Sequence, residues 1–441
     1  MLHAAALTAL LALQSASGSP NVAPNSPGTP TSPTSGSGGT SVTTAPSSNM
    51  GLPASSEEPS SQPAPPPGAP TPAATRTPAP TAAARRGAPI PPAKGPANPL
   101  LVVNKTDDTV SILDASSGKL RTTVAVEPGP HEVEMFADGR MAAVSSYGRK
   151  DQPGRYVSLI DVASGKVVSK VDIGEGSKPH GLKALRDGHL LVTAEGKKEL
   201  VVVDPREGKV LARYPTGRDL SHLVTASPDG RRAYVTSLTP GSVTVIDLQA
   251  GKVVKDIPTG KGAEGLDATP DGREVWVANR EANTITVIDV GMLAPVFTIR
   301  ASEFPIRVKI APDGRTAVAT FAGSGDVRVF DTATRVERSR IAIGRDAVEG
   351  SETRLFQKRF GSSPAPVGLL IAPDGKRAFV SAGHADVVAV IDLEKMRVDD
   401  AWTAGREPDG LAMSAVAPPP TSPTPAPAPA VRRPTMARPR S

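Results

Sequence analysis

Short apolar runs separated by turn residues recur along the chain from residue 98 onwards. In one unit, "AYVTS" (233–237) and "SVTVID" (242–247) are rich in β-branched residues, and "VVKDIP" (253–258) and "GLDATP" (265–270) follow. Runs of four to eight residues with this composition, bounded by Gly, Pro and Asp, are typical of short strands. No stretch shows a sustained helical period, so the pattern predicts four strands per unit and an all-β chain.

The unit repeats with a period of just over 40 residues. Aspartates end the second strand of the units, and we interpret them as turn caps: Asp114, Asp161, Asp204, Asp247, Asp289, Asp331 and Asp392. Asp-Gly pairs suited to hairpin turns close six units; their aspartates are Asp138, Asp187, Asp229, Asp271, Asp313 and Asp374. A repeat of about 40 residues with four strands is typical of a β-propeller blade.

The two ends of the repeat indicate how the ring closes. "PLLVVN" (99–104) begins as the second strand of a unit, and "DGLAMSAV" (409–416) is a first strand with no hairpin after it. We therefore expect the C-terminal strand to complete the blade begun at the N-terminus, which leaves no open sheet edge. First strands and second strands each number seven. The prediction is a seven-bladed β-propeller over residues 98–416.

The repeat letters also carry a family resemblance. "AYVTS", "VWVAN" and "LVVN", followed by "VID…GKVV" and "PDGR", resemble the YVTN β-propeller repeat family and its YncE-like periplasmic branch. The resemblance covers residues 98–416. It implies a seven-bladed propeller, usually exported, that serves as a binding or scaffold protein. Such repeats are specific for the fold and not for the function.

The regions outside the repeat have a different composition. Residues 19–97 and 417–441 are rich in Pro, Ala, Ser, Thr and Gly, so we expect both to be disordered. Residues 1–18 combine an apolar stretch with small residues, which indicates a signal peptide and a periplasmic or secreted protein. That stretch is too short to span a bilayer, so we expect no transmembrane segment.

Charge argues against a nucleic-acid partner. The sequence pI of about 9.5 is basic, but the two ends hold eight of the 50 Lys and Arg residues and only two of the 44 acids. The repeat region is therefore formally neutral and offers no basic groove. An aromatic content of 3% leaves little for base stacking. We expect a monomer that binds a ligand or protein partner.

One repeat position gathers the chemically active residues. Counting back seven residues from each hairpin aspartate, and adding the closing strand, gives His131, His180, His222, Glu264, Ile306, Val367 and Asp409. This position begins the innermost strand, so we expect all seven side chains at the mouth of the central channel. In ring order, Asp409, the three histidines and Glu264 form an unbroken arc, and two apolar residues complete the circle.

The arc is compatible with three functions. His131, His180 and His222 suit a divalent transition metal ion such as Zn, Cu, Fe or Ni. Imidazoles oriented by carboxylates also suit acid–base catalysis, for example in a lactone hydrolase. A solvated rim that binds a ligand needs neither. Our leading prediction is the third: a non-enzymatic binding ring without a cofactor, with His131, His180, His222, Glu264 and Asp409 as ligand-binding candidates.

Two insertions fall on the face of the ring that carries the histidines. They are the loop Tyr147–Tyr156 and the segment Gly344–Pro366, which adds Arg354, Lys358 and Arg359 as ligand-binding candidates. Long loops on one face of a rigid scaffold are where function concentrates. The longer insertion is either a lid over the channel or a neutral surface excursion, and the sequence leaves both open.

Overall fold

The computed structural model describes residues 98–354 and 356–414, without the side chains of Gln357 and Lys358. The predicted signal peptide and the proline-rich segments 19–97 and 417–441 lie outside the described residues. Three short 3-10 turns, Glu195–Lys197, Ser351–Thr353 and Gln357–Phe360, accompany the strands. None of the described helical segments is long and apolar enough to cross a membrane.

The described residues form 28 strands. The first fourteen are β1 (Pro99–Asn104), β2 (Thr109–Asp114), β3 (Leu120–Ala125), β4 (Pro130–Met135), β5 (Met141–Ser146), β6 (Tyr156–Asp161), β7 (Lys166–Asp172), β8 (Pro179–Ala184), β9 (Leu190–Ala194), β10 (Glu199–Asp204), β11 (Lys209–Pro215), β12 (Ser221–Ala226), β13 (Arg232–Ser237) and β14 (Ser242–Asp247). The others are β15 (Lys252–Pro258), β16 (Ala263–Ala268), β17 (Glu274–Asn279), β18 (Thr284–Asp289), β19 (Ala294–Arg300), β20 (Pro305–Ile310), β21 (Thr316–Phe321), β22 (Asp326–Asp331), β23 (Glu337–Ala342), β24 (Pro366–Ile371), β25 (Arg377–Ala382), β26 (Val387–Asp392), β27 (Arg397–Thr403) and β28 (Pro408–Met413).

These strands build seven four-stranded antiparallel sheets, which are the blades. Blades 2 to 7 each use four consecutive strands, from β4–β7 to β24–β27. Blade 1 has the order β28-β1-β2-β3, so the C-terminal strand pairs with the N-terminal one, with Leu101 opposite Ala412. The predicted seven-bladed propeller and its closing strand are confirmed. The observed strand bounds lie within two residues of the predicted ones, except that the closing strand ends at Met413 and not at residue 416.

Burial follows the position of a strand within its blade. All but the last residue of β14 are buried, whereas most of β15, the outer strand of the same blade, is exposed. The reason is that blades stack face to face, so an inner or middle strand has a neighbour on both sides. The cores therefore lie between blades: Val133 and Met135 of blade 2 pack with Leu101 and Ala412 of blade 1.

Turn chemistry explains the repeated aspartates. The side chain of Asp247 accepts a hydrogen bond from the backbone N–H of Ala250 at 2.7 Å, and the six equivalent aspartates make the same kind of contact. A carboxylate that accepts a backbone N–H two or three residues ahead stabilises a tight turn. The interpretation of these residues as turn caps is confirmed.

Glycine allows the innermost strands to approach one another closely. Four blades have glycine directly after the arc position, including Gly181 and Gly368. A Cβ atom at Gly368 would lie 2.1 Å from the backbone oxygen of Asp409, and one at Gly181 would lie 2.6 Å from that of His222. No side chain fits there. The channel is therefore narrow where the arc residues project, and their side chains meet.

Candidate functional site

In each of two blades, a threonine hydroxyl of the second strand fixes the position of the innermost strand, which carries the arc residue. Thr193 Oγ1 accepts a hydrogen bond from the N–H of Gly181 (2.7 Å) and donates one to the carbonyl oxygen of His222 in the next blade (2.6 Å). Thr236 Oγ1 donates in the same way to the carbonyl oxygen of Glu264 (2.8 Å). The backbones of neighbouring arc residues therefore keep a fixed relation from blade to blade.

Three imidazole rings form what we call the histidine stack: His131, His180 and His222. The ring centroids of His131 and His180 are 4.5 Å apart, and those of His180 and His222 are 4.0 Å apart. Tyr147, from the blade 2 insertion, packs 5.3 Å from His131 and edge-on to His180 at 5.8 Å. The three histidines that the repeat alignment predicted to be neighbours are in contact, and the blade 2 loop lies on their face.

A carboxylate lies in contact with the imidazole at each end of the histidine stack. His222 places Nδ1 2.5 Å from Glu195 Oε1 and Nε2 3.4 Å from Glu264 Oε1. At the other end, His131 Nδ1 lies 3.3 Å from Asp409 Oδ2. The five polar members of the predicted arc thus form one continuous line of contacts, to which Glu195 is an addition.

The charges of the stack differ from ring to ring. Burial lowers the pKa of His222, but its hydrogen bond to Glu195 and the charges of Glu195 and Glu264 outweigh burial and raise the pKa to about 9. Burial and the positive charge of His222 push the pKa of His180 well below its usual range. At neutral pH, His222 is therefore a cation between two carboxylates, and His180 is a neutral imidazole.

We expect His222 to titrate near pH 9 in protein free of metal ions, because Glu195 and Glu264 hold its proton. The pKa is higher in the folded than in the unfolded chain, where it is about 6.5. The contribution of His222 to the free energy of unfolding is therefore full below about pH 6.5 and is lost as pH rises through about 9. NMR titration of the imidazole protons measures the pKa. Glu195→Gln should lower it by roughly one unit or more; an unchanged titration would contradict the assignment.

Arg307 crosses the channel. It follows the arc residue Ile306 in blade 6, and its guanidinium contacts carboxylates from three other blades. Nη1 lies 3.2 Å from Glu264 Oε1, and Nη2 lies 2.6 Å from Glu132 Oε1 and 3.8 Å from Asp409 Oδ1. The Arg307 side chain is only 7% exposed. The channel is therefore closed at this level by one guanidinium shared among three carboxyl groups, and burial raises the pKa of one of them, Glu132.

Aromatic residues of the long insertion cover the apolar half of the mouth. Phe304, Ile306 and Val367 are buried in one cluster, and Phe356 and Phe360 of the insertion pack against it. The centroids of Phe356 and Phe360 lie 5.2 and 5.0 Å from that of Phe304. The insertion is therefore packed against the ring, and its role as a lid over the channel stays a prediction.

Arg280 joins the polar and apolar halves of the mouth. Its Nη1 donates a hydrogen bond to Glu264 Oε2 (2.6 Å), while its guanidinium lies 5.6 Å from the ring centroid of Phe304 and 5.5 Å from that of Phe356. Burial raises the pKa of Glu264, but the charges of Arg280 and His222 hold it well below its usual range. Glu264 is therefore an ionised carboxylate in direct contact with three cations.

The basic residues proposed for the insertion hold it in place. Arg354 binds both carboxylate oxygens of Asp386 (2.6 and 2.8 Å) and the carbonyl oxygen of Gly383 (2.8 Å). The Arg359 guanidinium lies 4.3 Å from the ring centroid of Phe304 and is paired with Glu281. Both arginines are therefore engaged within the protein, and their assignment as ligand-binding residues stays a prediction. The side chain of Lys358 lies outside the described residues.

Several residues of the site were not predicted. Glu132 and Arg307 occupy the position at which four other blades have glycine, so a charged residue there was an available signal. Glu195 belongs to a 3-10 turn and directly follows β9, at the position that Tyr147 and Arg280 occupy after β5 and β17. His384 is 2% exposed and lines a small cleft with Lys105 and Asp409.

Among the residues that the structure describes, one group has the composition of a metal site. Donor atoms of His180, Glu195 and His222 all lie within 4.8 Å of one another, and all three residues are buried. His131 is the neighbour of this group, and its Nδ1 is directed to Asp409. The assignment of His131 as a metal ligand stays a prediction.

Comparisons with known proteins support the fold. A family model described as Cytochrome D1 heme domain matches residues 187–320, less than half of the chain. The solved structure of Kuenenia stuttgartiensis hydrazine synthase aligns with a TM-score of 0.55 and 19% identity, over 66% of this chain and 90% of that chain. A functionally unknown protein from Desulfotomaculum acetoxidans aligns with a TM-score of 0.60 and 14% identity, over 72% and 99%. No curated protein matches the sequence. These likenesses show a β-propeller, and the YVTN resemblance stays a prediction.

Haem, the group named by the partially matching family, does not fit the mouth. The matched segment contains two histidines, His189 and His222. Both ring nitrogens of His222 contact carboxylates, and His189 sits in a hairpin turn with Nδ1 on Asp187. The cleft at the mouth measures about 10 Å³, whereas sites for larger organic ligands measure roughly 300–1,000 Å³. We therefore derive no haem chemistry for this chain.

Proposed function

We propose that this chain is an exported, non-enzymatic binding propeller, and that it holds a partner against the face that carries the histidine stack. The observation that carries the proposal is the closure of the channel mouth. Arg307 and its three carboxylates fill the polar half, and Phe356 and Phe360 cover the apolar half. A closed mouth supports recognition across the surface of the ring.

The same geometry disfavours the alternative of an acid–base hydrolase. A general base must accept a proton from a substrate within hydrogen-bond reach. His222 is already protonated at neutral pH, and His131 is occupied by Asp409. His180 is neutral but only 3% exposed and stacked between two rings. The cleft beside Asp409 measures about 10 Å³ and the cavity lined by Glu132 and Arg307 about 60 Å³, whereas small-molecule sites measure roughly 300–1,000 Å³.

Charge on this face indicates the chemistry of the partner. In the loops 147–155, 173–178, 195–198, 216–220 and 259–262 of blades 2 to 5, the exposed acids are Asp151, Glu175 and Asp219. The exposed bases of the same loops form what we call the basic crescent: Arg149, Lys150, Lys197, Lys198, Arg218 and Lys261. Arg149, Lys198 and Arg218 are paired with Asp108, Asp219 and Asp256, so Lys150, Lys197 and Lys261 carry most of the excess charge. Such an excess attracts acidic surfaces and speeds association at low salt.

The insertion has no comparable excess. Segment 344–366 holds Arg345, Arg354, Lys358 and Arg359 against Asp346, Glu349 and Glu352. The excess of exposed bases therefore steers an acidic partner towards blades 2 to 5, beside the histidine stack. We propose a protein with an acidic contact surface as the partner, bound most strongly at low ionic strength.

Site-specific photo-cross-linking in the source cells tests the proposal. A photoreactive residue at Lys197, in the basic crescent, is compared with one at Lys376, an exposed lysine in the Asp-Gly turn of blade 7 on the opposite face. We expect a discrete cross-linked product from position 197 and none from position 376. Lys150→Glu together with Lys261→Glu should abolish it. Equal products from both positions, or none from position 197, would overturn the proposed binding face.

A further inference from the structure

Two innermost strands and one turn bring three potential metal donors together. His180 lies on β8, His222 on β12, and Glu195 in the 3-10 turn that follows β9. Their donor atoms come within 4.8 Å of one another. The exposed fractions of the three residues are 3%, 8% and 6%, so the group is enclosed by protein.

A second observation points to a missing partner at this place. The Nδ1 atom of His180 is buried and has no hydrogen-bond partner. A buried polar nitrogen without a partner costs about 1–3 kcal/mol, and most such atoms in proteins are satisfied. The two flanking imidazoles have carboxylate contacts, so the unsatisfied nitrogen belongs to the central ring of the histidine stack.

The surroundings of the group support a ligand role. The turn that carries Glu195 is held by backbone hydrogen bonds from Glu195 N to Lys178 O (3.3 Å) and from Gly196 N to Ser177 O (3.0 Å). His222 Nε2 lies 3.4 Å from Glu264 Oε1. Metal-binding histidines commonly direct their other ring nitrogen at a carboxylate, which fixes the ring orientation. Glu264 is in the position to do this for His222.

We propose that His180, His222 and Glu195 bind one divalent transition metal ion at the channel mouth. Two imidazoles and one carboxylate suit Zn²⁺, Cu²⁺, Ni²⁺ or Fe²⁺, whereas Mg²⁺ and Ca²⁺ prefer sites made of oxygen atoms. Three protein ligands around such an ion leave a position for a water molecule or an added ligand.

Binding requires a small rearrangement of the group. Bonds of about 2.0–2.2 Å in a tetrahedral site place the ligand atoms roughly 3.4 Å apart. The donor atoms now lie within 4.8 Å of one another, and the 2.5 Å between His222 Nδ1 and Glu195 Oε1 would lengthen; rotation of the Glu195 and His180 side chains can make these changes. The short contact between His222 Nδ1 and Glu195 Oε1 holds a proton, which the ion would replace, leaving imidazole nitrogen and carboxylate oxygen as ligands.

This inference is independent of the proposed partner, because it concerns the purified chain. Absence of cross-links would contradict the proposed binding face but not the metal site. Absence of metal binding would contradict the metal site but not the proposed binding face.

The test is metal binding by purified full-length protein stripped of metal. Zn²⁺, Cu²⁺ and Ni²⁺ are added singly in excess Mg²⁺, unbound ions are removed, and bound metal is counted by mass spectrometry. We expect about one Zn²⁺, Cu²⁺ or Ni²⁺ per wild-type chain. In a competition assay with a chelator, His180→Ala and Glu195→Gln should each weaken binding at least tenfold. His189→Ala, which removes a half-exposed histidine from the opposite face, is the matched control and should bind like wild type.

Each variant is checked for a wild-type-like circular dichroism spectrum and melting temperature. His180→Ala removes a ring with no hydrogen bond at Nδ1, so it tests the site even where changes at His222 disturb folding. Sub-stoichiometric metal in the wild type, or unchanged binding in folded His180→Ala and Glu195→Gln, would overturn the proposal. Loss of binding in His131→Ala with retention in Glu195→Gln would instead assign the site to three imidazoles and overturn the role of Glu195.

Discussion

Replacing Arg307 with methionine is expected to destabilise the folded protein by about 3–5 kcal/mol. The guanidinium contacts Glu132, Glu264 and Asp409. Methionine, which has a similar volume, would leave these three side chains without their shared cation. Glu264 would keep Arg280 and His222, but Glu132 would lose the only cation in contact with it among the described residues. Burial without a partner is strongly unfavourable for a carboxylate. Urea denaturation followed by circular dichroism measures the difference.

A matched control and a rescue make this prediction specific. Arg273→Met alters a side chain that is 85% exposed and should change the free energy of unfolding by less than about 0.5 kcal/mol. Adding Glu132→Gln to Arg307→Met should recover part of the loss, because it removes the anion left unpaired. An Arg307→Met protein as stable as wild type would show that the network adapts without its cation.

Ending the chain after Arg406 is expected to abolish cooperative folding. This change removes β28, which pairs with β1 and also contributes Leu411 and Ala412 to the cores on both sides of blade 1. Leu100 to Val103 of β1, now fully buried, would become an exposed apolar edge. Such an edge promotes aggregation. Size-exclusion chromatography detects the aggregation, and thermal denaturation detects the loss of a cooperative transition. We expect no single side-chain substitution in the ring to destabilise the protein as much.

A chain ended after Val416 is the control, since it retains β28 and should melt like the full chain. Leu411→Asp gives an intermediate test, because it keeps the backbone pairing but places a charge in a core and should cost about 3 kcal/mol or more. A chain ended after Arg406 that stays monomeric and unfolds in one sharp transition would mean that blade 1 closes without its fourth strand.

The repeat itself predicted much of the site. Every blade has the same strand order. Once the repeats are aligned, the position of a residue in its repeat therefore predicts which strand and which end of the blade it occupies. His131, His180 and His222 occupy one repeat position, and adjacent repeats become adjacent blades. Their contacts, and those with Glu264 and Asp409, follow from that rule. Ile306 and Val367 likewise lie where the alignment put them, in the apolar part of the mouth.

Other parts of the site lay beyond that rule. Glu195 reaches His222 from a turn one strand away from the arc position, and Arg307 reaches Glu132 across the channel from a blade that is not its neighbour. Both contacts depend on side-chain length and on the width of the channel, which repeat alignment does not supply. The role of the long insertion was also undecided, because three phenylalanines separated by up to 56 positions meet only after folding.

The sequence by itself therefore determined the all-β class, the seven blades, the closing strand and the order of residues around the mouth, because these depend on local patterns repeated along the chain. The tertiary structure alone decided which charges are paired, which imidazole lacks a partner, and that the mouth is closed. Those properties depend on distances of a few ångströms between side chains of different blades. In the narrow channel water is largely excluded, so buried charges at these distances interact strongly.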